Sequence, residues 1–277
     1  MEILVAFLVV GAIAAVAGIL LALISHFFVT PEDQAKKRIR DCLPGINCGA
    51  CGYGGCDDYA AALVKGAAKP NLCIPGAQEV ADRIGEIIGV KAEPFADLIS
   101  FIACNGHCDA TYPKAIYEGV QSCYAASMIY GGANSCRFGC LGYGDCAEAC
   151  PSEAICIIDG IAHVDTSRCI GCGLCARTCP KKIAVMLPRN AVTAVMCSSK
   201  DKAKDARRVC KNSCIGCKKC QRACPHGAII IKDNLATIDY TKCNFCGACI
   251  DVCPTGCIRT VYFPTLPDGV SFNDVIS

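Results

Sequence analysis

The spacing of its cysteines constrains this chain more than any other feature. Of the 277 residues, 28 are cysteine. Two stretches, Cys169–Pro180 and Cys243–Pro254, repeat the pattern C-x2-C-x2-C-x3-C-P, which is the ligand spacing of bacterial ferredoxin-type iron–sulfur sites. Three closely spaced thiolates can bind three irons of one cubane, and the cysteine ahead of the proline reaches the neighbouring cluster. The pattern predicts paired 4Fe–4S clusters that transfer single electrons.

Two other uses of cysteine fit less well. A disulfide scaffold is typical of short exported chains, and this chain is expected to be neither. Zinc sites use Cys-x2-Cys pairs, but zinc coordination requires no third cysteine at this spacing and no Cys-x3-Cys-Pro. A zinc-stabilised, membrane-tethered interaction module stays open as the non-redox alternative.

The amino-terminal segment predicts a membrane anchor. Residues 3–24 carry no charge, and a helix of this length can cross a hydrocarbon core of about 30 Å. Basic residues follow the apolar segment at positions 36, 37, 38 and 40, whereas a signal peptide has its positive charge in front. We therefore expect a single-pass protein of the cytoplasmic membrane with its remaining residues in the cytoplasm.

An internal repeat organises the second half of the chain. Residues 150–180 align without a gap on residues 224–254, with 14 of 31 positions identical. Between the cysteines, each copy has a β-rich stretch interrupted by Asp159-Gly160 or Asp233-Asn234, which predicts a hairpin. We expect an α+β protein with these parts: an anchor (1–30), a membrane-proximal iron–sulfur domain (31–95), a first ferredoxin-like module with flanking segments (96–200), a second module (201–262) and a tail (263–277).

The ligands within each module are predicted by crossing over between its two cysteine groups. In the second module the two sets are Cys214, Cys217, Cys220 with Cys253, and Cys243, Cys246, Cys249 with Cys224. In the first module they are Cys169, Cys172, Cys175 with Cys150, and Cys136, Cys140, Cys146 with Cys179. The last set has a stretched spacing that departs from the usual pattern.

A different cysteine pattern follows the predicted anchor. Cys48, Cys51 and Cys56 are joined by glycine-rich segments, and Cys73 follows. Glycines let the backbone approach a cluster closely and direct N–H groups at its sulfides. We expect a fifth 4Fe–4S site here, and a zinc knuckle is the alternative.

Taken together, the anchor and the motifs CGACGYGGC, YGGANSCRFGCLGYGDCAEACP, CIGCGLCARTCP and CIGCKKCQRACP resemble the B subunits of the Rnf complexes over essentially the whole chain. These complexes are ion-translocating ferredoxin:NAD oxidoreductases. The resemblance implies that the chain receives electrons from soluble reduced ferredoxin and passes them to membrane and peripheral partner subunits that carry flavins and iron–sulfur centres. NAD reduction and translocation of Na⁺ or H⁺ would belong to those partners. The resemblance also favours a sixth cluster on Cys104, Cys123, Cys197 and Cys210.

An iron–sulfur subunit of another membrane oxidoreductase, such as a formate- or hydrogen-oxidising complex, is the redox alternative. The chain shows no nucleophile–histidine pairing and no Gly-rich dinucleotide motif after a predicted strand, so no complete active site is expected in this chain alone.

Basic residues are concentrated in one stretch. Residues 200–222 contain nine Lys or Arg and two Asp. This stretch can steer an acidic ferredoxin toward a cluster, with a solvated face as the simpler explanation. A nucleic-acid partner is not expected, because no aromatic platform or groove-reading motif accompanies the charges.

The repeat also predicts which cysteines are not ligands. Cys156 aligns with Ile230, and Cys257 aligns with Ile183. We therefore expect both cysteines to be small apolar core residues. Cys42 and Cys108 are left without a role.

Overall fold

The computed structural model describes residues 11–21, 31–94 and 97–261, and it divides into two units, residues 1–95 and 96–277. Residues 11–21 form a helix, α1, whose side chains are exposed. The rest of the predicted anchor and the predicted tail lie outside the described residues. Within the described ranges, no helix has the length and hydropathy needed to span a bilayer.

The first unit is helical around a small core. Its further elements are α2 (Pro31–Cys42), α3 (Cys56–Val64), a 3-10 turn (Pro70–Leu72) and α4 (Ala77–Ile88). Val80 and Ile84 of α4 are one helical turn apart and both buried, as expected for the apolar face of an amphipathic helix. They pack with Tyr59 and Leu63 of α3 and with Ile39 of α2.

The second unit is built from short strands and helices, which makes the chain α+β. The strands are β1 (Leu98–Ile102), β2 (Ile155–Ile158), β3 (Ile161–Val164), β4 (Ala184–Pro188), β5 (Thr193–Val195), β6 (Ile229–Lys232), β7 (Leu235–Ile238) and β8 (Ile258–Thr260). The helices are α5 (Cys123–Met128), α6 (Asp145–Glu148), α7 (Leu174–Thr178), α8 (Ala203–Val209), α9 (Lys219–Ala223) and α10 (Ala248–Asp251).

Strand pairing repeats in the same way in the two modules. β2 pairs with β3 and β6 with β7, both antiparallel. The two-residue turns have positive φ at both positions, 48° and 77° at Asp159-Gly160 and 51° and 62° at Asp233-Asn234, which is the conformation of a type I′ hairpin turn. The predicted hairpins are therefore confirmed.

The outer strands close each module. β1 pairs with β4 in the first module, and β5 pairs with β8 in the second. β5 precedes the predicted module boundary at residue 200, yet its partner lies at the carboxyl end of the second module. No local pattern in the sequence indicates this pairing, because the two strands lie more than 60 residues apart.

Candidate iron–sulfur sites

The four predicted cysteines of the first unit come together. The pKa of Cys73 is raised to about 11, mainly by burial and also by the neighbouring Cys56, Cys48 and Cys51 thiols. The loop that carries them is organised by Asn47, whose Oδ1 accepts a hydrogen bond from the Cys56 backbone N–H at 2.9 Å. Four sulfur donors within reach of one another form a donor set suited to an iron–sulfur cluster.

Tyr59 positions the last of these cysteines. Its ring is 1% exposed, its hydroxyl donates to the Lys69 carbonyl at 2.6 Å, and the same oxygen accepts from the Leu72 N–H at 3.2 Å. One hydroxyl therefore bridges the two sides of the 3-10 turn that leads into Cys73. Burial is also the main cause of the raised pKa of Tyr59, so the hydroxyl stays neutral and available as a donor.

In the second module, one cavity is lined by a complete predicted ligand set. It encloses about 320 Å³ and contacts Cys214, Cys217, Cys220 and Cys253. Cys257 also lines this cavity, and its thiol hydrogen-bonds two of these cysteines, which lowers the pKa of Cys214 to about 6 and of Cys253 to about 4. The same contacts raise the pKa of Cys257, so Cys257 keeps its proton.

The second site of this module also brings its predicted cysteines together. The pKa of Cys249 is raised to about 11, mainly by burial, and Cys243, Cys224 and Cys246 lie close enough to contribute to the rise. At the equivalent site in the first module, burial raises the pKa of Cys175, and the Cys169 and Cys150 thiols lie close enough to add to the shift.

Ser100 ties β1 to this first-module site. The Cys175 thiol lies 3.0 Å from the Ser100 hydroxyl, and the Ser100 backbone N–H donates to the Cys169 sulfur at 3.4 Å. The Ala154 N–H donates to the Cys150 sulfur at 3.3 Å. Such N–H groups stabilise thiolate charge, which is the form of cysteine that binds iron.

The fourth predicted set is arranged differently from the prediction. A cavity of about 360 Å³ is lined by Cys140, Cys146 and Cys179 together with Cys123, and Cys136 is not among its lining residues. Burial raises the pKa of Cys146 to about 12, with Cys140, Cys123 and Cys179 as further contributors.

Cys136 lies instead at a second cavity, of about 450 Å³, with Cys104, Cys197 and Cys210, and Cys140 lines both cavities. Three of the four cysteines that the resemblance assigned to a sixth cluster are therefore here, and Cys123 is not. Burial raises the pKa of Cys104 to about 12 and that of Cys197 to about 11, and Cys136 contributes to both shifts.

The donor chemistry of these sites fits iron–sulfur clusters. At every site burial raises the pKa of at least one thiol, so a metal must supply the positive charge that makes such a thiolate stable, and loading releases protons. Among the described residues, no three His, Cys, Asp or Glu side chains are arranged to hold a single metal ion. A cluster of four irons and four sulfides needs its ligands further apart than a single ion does.

The two cysteines predicted to be core residues are both buried. Cys257 is 1% exposed and its repeat partner Ile183 is 2% exposed. Cys156 is 7% exposed, but its repeat partner Ile230 is 53% exposed. An isoleucine in the other copy therefore correctly indicates a core position at Cys257. At Cys156 it does not, because this position is buried in the first module and half-exposed in the second.

A basic surface covers the start of the second module. All nine Lys and Arg side chains of residues 200–222 are exposed, and none of them takes part in the ion pairs found in the described part of the chain. Asp201, one of the two acids in this stretch, pairs with Arg137. Lys218 and Lys219 lie between the cavity cysteines Cys217 and Cys220. The surface is thus positive next to a candidate cluster site.

Comparisons with known proteins match these sites. Three family models match the chain: an Fe-S cluster family over residues 43–75, a 4Fe-4S binding domain over residues 162–183 and a 4Fe-4S dicluster domain over residues 213–257. The matches make 4Fe–4S clusters the cofactors of the second unit and an iron–sulfur cluster that of the first.

Long stretches of the chain are similar to three curated proteins, each the B subunit of a membrane complex. That of the Na(+)-translocating ferredoxin:NAD(+) oxidoreductase complex of Acetobacterium woodii is 40% identical over 90% of this chain and 75% of that protein. That of the proton-translocating ferredoxin:NAD(+) oxidoreductase complex of Clostridium ljungdahlii is 39% identical over 90% of this chain and 89% of that protein. The B subunit of the ion-translocating oxidoreductase complex of Methanosarcina acetivorans is 36% identical over 87% of this chain and 92% of that protein.

Proposed function

Because the chain belongs to the B subunits of the ion-translocating ferredoxin:NAD(+) oxidoreductase (Rnf) complexes, we propose that it accepts electrons from reduced ferredoxin and delivers them to partner subunits at the membrane. When bound, the 4Fe–4S clusters supply one-electron redox chemistry. The protein supplies the thiolates, the N–H donors and the surface that a donor protein recognises. The similarity to these relatives disfavours the alternative that the chain is a subunit of a formate- or hydrogen-oxidising complex.

The ligands of four clusters follow from the groups described above. They are Cys48, Cys51, Cys56 with Cys73; Cys169, Cys172, Cys175 with Cys150; Cys214, Cys217, Cys220 with Cys253; and Cys243, Cys246, Cys249 with Cys224. Cys140, Cys146 and Cys179 supply three ligands of a fifth cluster. In each group the observation in support is the proximity of its thiols to one another, and Cys172 joins its group by motif spacing.

The membrane anchor is the second part of the proposal. The described part of the segment, α1, is helical, and its apolar side chains are exposed, including Ile13 at 64% and Leu21 at 68%. A helix with an apolar surface on all sides suits a lipid environment. The 24 residues from Ile24 to Cys48 span at most about 80 Å when fully extended, and α2 shortens that reach. We place the Cys48 site near the bilayer, on the cytoplasmic side.

Ferredoxin docking is placed on the second module. The observation that carries it is the exposed, unpaired basic surface at Lys218 and Lys219, within the motif of one cluster site. Positive charge there attracts an acidic ferredoxin and raises its association rate. Electrons then have the membrane-proximal site as their destination. Ion translocation and NAD reduction are assigned to the partner subunits.

Charge reversal tests the docking site. Lys218→Glu with Lys219→Glu should slow reduction by ferredoxin roughly tenfold at low ionic strength and much less at high salt, where the field is screened. Reduction by dithionite should be unchanged. The matched control, Lys202→Glu with Lys204→Glu, changes the net charge equally at exposed positions away from the cysteine motif.

The control separates local docking from general charge. If both pairs slow ferredoxin equally, the attraction is diffuse and the proposed docking site is wrong. If neither pair changes the rate at any ionic strength, the basic surface is only a solvated face. A protein that binds iron but is not reduced by ferredoxin at all would overturn the proposed donor.

A further inference from the structure

The first module lacks one of the cysteines that the second module uses. The 74-residue offset between the copies continues upstream of Cys150 without a gap. It pairs three cysteines of one cavity with three of the other: Cys140 with Cys214, Cys146 with Cys220, and Cys179 with Cys253. The remaining cavity cysteine of the second module, Cys217, aligns with Tyr143. The first module is therefore one thiol short within its own motif.

Cys123 lies where that thiol is missing. It lines the same cavity as the three remaining cysteines. Burial raises the pKa of Cys123, and the backbone N–H groups of Tyr143 and Gly144 are among the contacts that oppose this rise. The Cys123 sulfur therefore faces the loop that contains the substituted position.

Asp145 fixes Cys123 in this place. Its carboxylate accepts hydrogen bonds from the Cys123 N–H at 2.6 Å, the Tyr124 N–H at 3.0 Å and the Ser122 hydroxyl at 2.9 Å. Asp145 directly precedes Cys146 in the chain. The start of α5 is thus tied to the backbone of a cavity cysteine by three charge-assisted bonds, which are the stronger kind of hydrogen bond.

Cys136 is directed to the other cavity. Burial raises the pKa of Cys210, and Cys136 adds to this rise. The Cys104 and Cys210 sulfurs both flank Gly106, since a Cβ added there would stand 3.5 and 3.6 Å from them. Cys140 lines both cavities. The remaining cysteines here, Cys104, Cys197 and Cys210, are each neighbours of Cys136 or of one another.

The cysteines of this cavity have the amide environment of cluster ligands. Cys104 accepts from the N–H of Gly106, and Cys197 accepts from the N–H of Ser199, both at 3.4 Å and both two residues downstream. In the second module, Cys214 has the same relation to the N–H of Gly216.

We propose that Cys123 and Cys136 have exchanged roles relative to the order of the cysteines in the sequence. Cys123 completes the fifth cluster, and Cys136 completes a sixth cluster site between the two modules. The two ligand sets are Cys123, Cys140, Cys146 with Cys179, and Cys104, Cys136, Cys197 with Cys210. This inference depends on the proposed function in one respect, namely that the bound groups are 4Fe–4S clusters.

Paired substitutions test which cysteines share a cluster. Two alanines in one ligand set should affect one cluster, whereas two alanines in different sets should affect two. The variants are full-length Cys123→Ala/Cys146→Ala, Cys136→Ala/Cys146→Ala, Cys136→Ala/Cys197→Ala and Cys123→Ala/Cys197→Ala. Native mass spectrometry of the anaerobically loaded protein counts clusters, and a cluster converted to a three-iron form counts as affected.

The expected numbers of affected clusters are one, two, one and two, in that order. The reverse pattern would restore the ligand order read from the sequence and overturn the proposal. If Cys136→Ala/Cys197→Ala affects no cluster, no sixth cluster is bound and that half of the proposal falls. A wild-type protein that binds no clusters at all would instead defeat the proposed function.

Alkylation provides a second measurement where a double variant fails to fold. In the single variant Cys146→Ala, the thiols freed from the affected cluster become reactive. Cys123 should be alkylated while Cys136 stays protected, and labelling of Cys136 with protection of Cys123 would overturn the assignment. Cys156→Ala serves as the control that changes a buried cysteine outside both cavities.

Discussion

Removing the hydroxyl of Tyr59 is expected to loosen the chain that carries Cys73. Tyr59→Phe keeps the buried ring and deletes only the oxygen that bridges the Lys69 carbonyl and the Leu72 N–H. These two backbone groups lie at either end of the 3-10 turn that precedes Cys73. Without the bridge, both groups lose their shared partner in a part-buried setting.

The size of the effect follows from the two bonds. A neutral hydrogen bond contributes about 1 kcal/mol net, and a buried group left without a partner costs about 1–3 kcal/mol. Because both groups are only part-buried, the lower end applies, about 2 kcal/mol in all. A change of this size raises the population of the locally open state roughly 30-fold.

Hydrogen exchange on the loaded, full-length protein measures this opening. We expect the amides of Lys69, Asn71, Leu72 and Cys73 to exchange roughly 30-fold faster in Tyr59→Phe, because their protection reports the local opening equilibrium. Tyr53→Phe is the matched control: its ring packs 5.5 Å from that of Tyr59, but its hydroxyl makes only a 3.4 Å bond to the Ala67 carbonyl in an exposed setting.

Equal exchange at residues 69–73 in Tyr59→Phe and Tyr53→Phe would refute the role given to the Tyr59 hydroxyl. That result would mean that cluster ligation by Cys73 alone holds the segment. A uniform increase across the first unit would also refute a local effect, since it would indicate general loss of packing around the ring.

Three further outcomes are expected. Cys156→Ile, which introduces the residue of the second repeat, should leave the iron content unchanged, and a loss of iron would show that Cys156 is a ligand. Gly142→Ala should destabilise the protein by about 1–3 kcal/mol more than Gly160→Ala in thermal unfolding. Both glycines have a φ of +77°, but a Cβ added at position 142 would stand 2.6 Å from the Gly160 carbonyl oxygen, whereas a Cβ added at position 160 meets nothing within 4 Å. Equal losses of stability would show that backbone strain alone determines the effect. Protease added to inside-out vesicles should release the soluble part of the chain, and release from right-side-out vesicles would reverse the proposed orientation.

Local patterns in the sequence were enough to predict much of the architecture. The hairpin at Asp159-Gly160 was predictable because a two-residue turn with positive φ at both positions selects such residues. The grouping of Cys243, Cys246, Cys249 and Cys224 followed from motif spacing, and these four thiols lie together. In both cases the determining residues are close in sequence.

The exchange of Cys123 and Cys136 could not be predicted in the same way. The spacing of Cys136, Cys140 and Cys146 looks like a stretched version of the usual motif, although extending the repeat upstream places Tyr143 on Cys217. That alignment reveals the missing ligand but not its replacement. Cys123 reaches the cavity through the hydrogen bonds of Asp145, a tertiary contact for which no spacing rule exists.

Burial of individual positions was predicted unevenly. The repeat equates Cys156 with Ile230, but one is buried and the other is half-exposed. Equivalent positions in two copies share a strand register, since Cys156 pairs with His163 as Ile230 pairs with Thr237. They do not share the same degree of burial, which strand register alone does not determine.

Each module is closed by pairing between its own first and last strands, and this affects how further modules can be added to such a chain. In both modules the strand that enters pairs with the strand that leaves, while the hairpin lies between them. Among the described strands, none of one module pairs into the sheets of the other. A duplicated copy can therefore be added in tandem without breaking an existing ladder, so that an electron path is lengthened by gene duplication one module at a time.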